Sequence, residues 1–179
     1  MRDILIYIGI FILLLNLVLF VKSFATQGKA FKIFTCYLGL IFCIQLASNV
    51  MLRFNINNLF LSHFYFIVQF VVLSLFYLKI LENSFQKKIV KTGLIFGLLV
   101  LAIQYTVDSS LFFKYNLLEI FITSFLLIIY AVFHFYNMLN GKKEFYYINM
   151  GVLLYLFGST ILFLVGNLTT ILSKEMSVV

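Results

Sequence analysis

Eight polar side chains interrupt otherwise apolar stretches: Gln45, Asn49, Arg53, His63, Gln69, Gln104, Glu119 and Asn167. Amides at membrane depth hydrogen-bond across helices or to a ligand. A carboxylate there is costly unless it is paired, protonated or reaching toward water. Gln45, Asn49 and Arg53 are four residues apart, so on a helix they form one stripe, flanked by Ser48. Tyr115, Glu119 and Thr123 repeat that spacing. Glu119 is expected about two turns inside its apolar run, with Arg53 or His63 as partner. It reads either as a ligand or proton site or as a structural ion pair. His63 is expected to be a wetted, hydrogen-bonded residue at the membrane boundary, with a ligand or pH-switch role as the alternative. The Gln45/Asn49 stripe reads equally as glue between helices.

Catalytic signatures are missing. The sequence has no GxxxxGK[ST], HExxH, GxSxG or CxxC pattern and no paired intramembrane aspartates. His63 and His134 fall on opposite membrane sides, so no shared metal is expected, and no cofactor. Cys36 and Cys43 are seven residues apart, about 10 Å along a helix, too far for a disulfide. They read as small packing residues.

The elements that must position these groups follow from composition. The 179 residues are 64% hydrophobic and 11% charged, with 23 Phe and no Pro. The mean hydropathy is +1.11. A soluble domain carries about 25% charged residues, and one small core cannot hold so much apolar surface. The expected fold is all-α, a polytopic helical membrane protein forming a single bundle with six spans. Their approximate bounds are 4–21, 34–52, 59–78, 89–107, 112–139 and 145–172. The fifth exceeds the about 20 residues a span needs, so it is expected to tilt or protrude. The runs are continuous rather than alternating, which excludes barrel strands. Ser23-Phe24-Ala25 has the look of a signal-peptide cleavage site. The preceding run is longer than such peptides use and ends on Lys22, so it reads as a retained helix.

The net charge of +7 sits in short loops. Nucleic acid is therefore not an expected partner; the lipid bilayer is. Loops one, three and five carry Lys22, Lys29, Lys32, Lys79, Lys87, Lys88, Lys91, Lys142 and Lys143. The opposite side has Arg2, Arg53, Lys114 and Lys174. Nine cations against four place the odd loops in the cytoplasm and the N-terminus outside. All eight candidates then fall in the outer half, where they are expected to line one outward-facing polar pocket. Asn16, Ser74, His134 and Asn149 belong to the inner half. Lys174-Glu175 precedes Met176-Ser177-Val178-Val179, which reads as the start of another apolar run.

Gly93 and Gly97 form a GxxxG pair that permits close helix approach. Gly151, Gly158 and Gly166 make a second smooth stripe, expected to pack within the chain.

The stretch Asn57-Asn58-Leu59-Phe60-Leu61-Ser62-His63-Phe64-Tyr65-Phe66-Ile67-Val68-Gln69-Phe70 resembles the third-helix segment of uncharacterised bacterial multi-pass proteins with about seven helices. Relatives of that segment form the membrane part of sensor histidine kinases. Gly151 to Gly158, Leu164 to Asn167, and Glu119 early in its helix are similar to theirs too. Gln69 stands where that family has a carboxylate, and the seventh helix and the kinase are missing here. The resemblance implies a sensor-like or unassigned module of a bacterial inner membrane, with no catalytic residue.

The leading expectation is a non-enzymatic membrane module whose outer pocket binds a small molecule or lipid and signals through a protein partner or a second copy. An accessory subunit of a larger membrane complex is the alternative, followed by a small channel or transporter.

Overall fold

The computed structural model describes residues 2–139, 141 and 143–176, with side chains at 4, 6–139, 141 and 143–166. Six α-helices follow one another: α1 (Arg2–Lys22), α2 (Lys29–Arg53), α3 (Leu59–Ile80), α4 (Ser84–Val107), α5 (Leu117–Leu139) and α6 (Tyr146–Met176). A short 3-10 helix, Ser109–Phe113, lies between α4 and α5. All-α architecture follows from long apolar runs that no proline interrupts. Among the described residues, α2 to α5 and the Tyr146–Gly166 part of α6 are long and apolar enough to cross a bilayer. The first helix contains the expected 4–21. Its apolar part, Ile6–Lys22, is shorter than the other five. The chain is thus a multi-pass helical membrane protein with five long spans and a shorter apolar N-terminal helix.

The polar breaks explain where the helices stop. Helix α2 ends in a Schellman motif, with Ile56 N donating to Met51 O (3.0 Å) and Asn55 N to Leu52 O (3.2 Å). Asn55 takes the left-handed conformation this motif needs, φ 55°, which asparagine tolerates better than most residues. Asn83 caps α4 by accepting from Phe85 N at 2.9 Å. Asp108 opens the 3-10 helix by accepting from Ser110 N at 3.0 Å. The fifth expected span begins at 112, whereas Phe112 and Phe113 belong to that 3-10 helix and α5 starts only at Leu117. A local side-chain cap at Asp108 outweighs hydropathy there.

The chain forms two compact units, Met1–Tyr115 and Asn116–Val179. In the first, α2 packs against α1 and α3, and α3 against α4. Its core is aromatic. Phe20 stacks on Phe31 at 4.8 Å, and Phe34 meets Phe20 at 5.4 Å and Phe76 at 5.5 Å. Phe70, Phe76 and Tyr77 are fully buried. These contacts make consecutive helices antiparallel, so the α1–α2 and α3–α4 turns share one end of the unit. The other end holds the α2–α3 turn and the 3-10 helix. In the second unit α5 pairs with α6. Asn149 Nδ2 donates to the Ala131 carbonyl at 3.1 Å, and Phe135 meets Tyr146 edge-on at 5.8 Å.

Candidate functional site

At the α2–α3 end of the first unit, the second turn of α3 brings His63 to the last turn of α4. His63 Nδ1 and Tyr105 Oη share a hydrogen bond of 2.8 Å. The 3-10 helix then lays Phe112 against both rings, stacked on Tyr105 at 4.4 Å and edge-on to His63 at 6.1 Å. His63 is only 2% exposed, which corrects the expectation of a wetted boundary residue. The reason is local: the cap at Asp108 folds the chain back over the end of α4 and so covers the imidazole. The Ser110 hydroxyl and amide hold the exposed Asp108 carboxyl below its ordinary range, with Lys114 adding a weaker pull. Lys114 Nζ donates to Ser110 Oγ at 2.7 Å.

Two further links tie this end together. Asn58 Nδ2 donates to the Ser48 carbonyl at 3.0 Å and to its hydroxyl at 2.8 Å, which locks the α2–α3 turn onto α2. Arg53 donates to the Tyr7 hydroxyl, and its guanidinium also lies over that ring, 5.7 Å from the centroid. Deeper in the unit, Tyr37 Oη donates to Gln69 Oε1 at 3.4 Å, both residues buried.

Within the first unit the expected pocket residues differ in burial and in partners. His63 and Gln69 are buried and bonded to tyrosines. Gln45, Asn49 and Gln104 are half-buried. Arg53 is exposed at the end of α2. Among the described residues the amide link on this face of α2 runs through Ser48 and Asn58 rather than Gln45 and Asn49. Glu119 belongs to the second unit. The side chain of Asn167 lies outside the described residues.

Glu119 needs the clearest correction. Helix α5 begins at Leu117, so Glu119 is in its first turn rather than two turns deep. Asn116 Oδ1 accepts from Glu119 N at 3.3 Å, and Thr123 Oγ1 donates to the Glu119 carbonyl at 2.8 Å. A carboxylate in the first turn is favoured by the helix dipole, which offsets part of its burial.

His134 is buried as well, and its Nε2 lies 3.0 Å from the Glu144 carbonyl. A carbonyl only accepts, so Nε2 carries the proton. Cys36 and Cys43 point outward instead of packing. Gly97 is buried and Gly93 half-buried. Gly151, Gly158 and Gly166 are exposed, and a Cβ at any of them would meet nothing within 4 Å.

Tyr105, Tyr37 and Asn116 complete these arrangements although none stood out as a candidate. Asn116-Leu117-Leu118-Glu119 has the spacing of a capping box, and that signal would have located both the start of α5 and the role of Glu119. Tyr105 and Tyr37 carried no such mark among 11 tyrosines. The chain matches no family model, no curated protein and no solved structure.

Proposed function

We propose that the protein is a non-enzymatic membrane module that binds a small molecule or lipid at the His63 end of its first unit and acts through a protein partner. The observation that supports this reading is the buried His63–Tyr105–Phe112 group. An imidazole and a phenol offer donor and acceptor capacity, and three rings offer apolar faces and quadrupoles. Half-buried Gln45, Asn49 and Gln104 add amides on the neighbouring helices. This is the usual composition of a ligand site: mostly apolar walls with a few placed polar groups. By the loop cations this end faces outward, which suits reception of a signal from outside the cell. Sensor-like action in a bacterial inner membrane is part of the same proposal. The test is mass spectrometry of amphiphiles that co-purify with wild type, His63→Phe and Tyr105→Phe. A species retained by wild type and lost from both variants supports the reading. Identical profiles from three equally helical proteins would sink it.

The open face of α6 favours a second reading, an accessory subunit of a membrane complex. A Cβ at Gly151 or Gly158 would meet nothing within 4 Å, the kind of surface that admits another helix closely. Co-migration with a stable partner on native gels, lost on Gly158→Val, would support it.

A further inference from the structure

We propose that the lysine-bearing end of the first unit is a docking surface for anionic phospholipid headgroups. Lys22 and Lys79 close α1 and α3 at this end, Lys29 and Lys32 open α2, and Lys87, Lys88 and Lys91 occupy the first two turns of α4. Glu82 is the one carboxylate the sequence places among these seven lysines. The contacts of Phe34 with Phe20 and Phe76 bring both turns to the same end. Among the described residues none of the seven is held in an ion pair; Lys32 lies over the Phe24 ring, 5.7 Å from its centroid.

The opposite end differs in kind. There Arg53 is engaged with Tyr7, and Lys114 with Ser110 beside Asp108. Seven lysines with the single carboxylate Glu82 among them stand at one end, against Arg53 and Lys114 with Asp108 at the other. At the starts of α2 and α4 the lysines also run against local helix electrostatics, whereas Lys22 and Lys79 stand in last turns, where the dipole favours them. Neither α2 nor α4 has an acidic residue in its first turn, and lysines stand where the helix dipole favours negative charge. An array of anions at that level reverses the sign of both repulsions.

Two observations point to lipid rather than an acidic protein. The lysines lie within about two turns of the ends of apolar spans, which is headgroup depth. Phe85 lies among them, 68% exposed, at the start of α4. A ring there suits the boundary between headgroups and acyl chains. The inference does not depend on the ligand site at the other end.

The test is thermal unfolding of the detergent-solubilised protein with added phosphatidylglycerol or phosphatidylcholine. The expected result is a larger rise in Tm with phosphatidylglycerol. That preference should vanish in 1 M salt, where screening acts within about 3 Å. It should be lost in K87Q/K88Q/K91Q and kept in K114Q. Free glycerol phosphate at the same concentration should not reproduce it, since it lacks the acyl chains. Equal shifts with the two lipids would overturn the proposal, as would a preference that survives the triple substitution or a full effect from glycerol phosphate. The salt titration uses wild type alone, so it decides the matter even if the triple variant fails to fold.

Discussion

The phenol of Tyr105 lies 2.8 Å from Nδ1 of His63, and the ring of Phe112 closes over both. These residues come from the end of α4, the start of α3 and the 3-10 helix after α4. The bond therefore fixes the α3–α4 pairing at the end remote from its connecting turn. Tyr105→Phe should lower stability by about 1 kcal/mol, the usual net value of a neutral hydrogen bond. His63→Phe and the double variant complete the cycle. Unfolding in mixed micelles should show less than additive losses, whereas full additivity would mean that the two groups are not coupled.

The start of α5 rests on Asn116, which accepts from Glu119 N. Asn116→Ala should cost about 1 kcal/mol, and Asn116→Ser less, because serine also caps and adds no charge at this buried position. Hydrogen exchange at the Glu119 amide is the direct readout. Equal protection in wild type and the alanine variant would show that the cap is not what holds the first turn of α5.

Asp108 gives the 3-10 helix a pH dependence of definite sign. Bonds from Ser110 lower its carboxyl below the ordinary 3.8. A depressed folded-state value contributes stability that is complete above the ordinary value and is lost as pH falls through the lowered one. Exchange at the Ser110 amide should therefore be independent of Asp108 protonation at neutral pH. That amide should lose protection only as pH falls below the ordinary carboxyl value, through the lowered one. In Asp108→Asn the acid-induced loss should disappear.

Phe76 is fully buried and meets Phe34 at 5.5 Å in the aromatic core of the first unit. Phe76→Ala should destabilise by about 3–5 kcal/mol through lost contacts and the remaining cavity. Phe85→Ala, at an exposed position, should change stability by less than about 0.5 kcal/mol in detergent. Similar losses for both would mean that the core has been misplaced.

Orientation can be read by labelling. With Cys36 and Cys43 replaced by serine, single cysteines at Asn57 or Ser109 should react with an impermeant maleimide on intact cells. Cysteines at Gln27 or Asn83 should react only after the membrane is opened. The reverse pattern would place the lysine-rich turns outside, against the charge bias.

Much of this architecture was legible in the chain itself. Apolar runs that no proline interrupts determine helices and their approximate number, because a bilayer leaves the backbone little alternative to bonding within itself. The break at Asn55 and the cap at Asp108 were legible as turn chemistry. Hydropathy is blind to which of several apolar stretches is helical when a cap competes with it. It therefore carries the fifth span back to Phe112 and puts Glu119 about two turns deep instead of in the first turn. The site was less legible still. Gln45, Asn49 and Arg53 share a stripe by spacing, yet the bonds at that end run through Ser48, Asn58, His63 and Tyr105. In one dimension Tyr105 is one of 11 tyrosines. Only the approach of α3 to α4 and the fold-back of the 3-10 helix make it the partner of His63. Spacing determines which residues share a face of one helix. Which side chain from another helix meets that face is decided by how the helices pack, and that depends on side chains far apart in the chain.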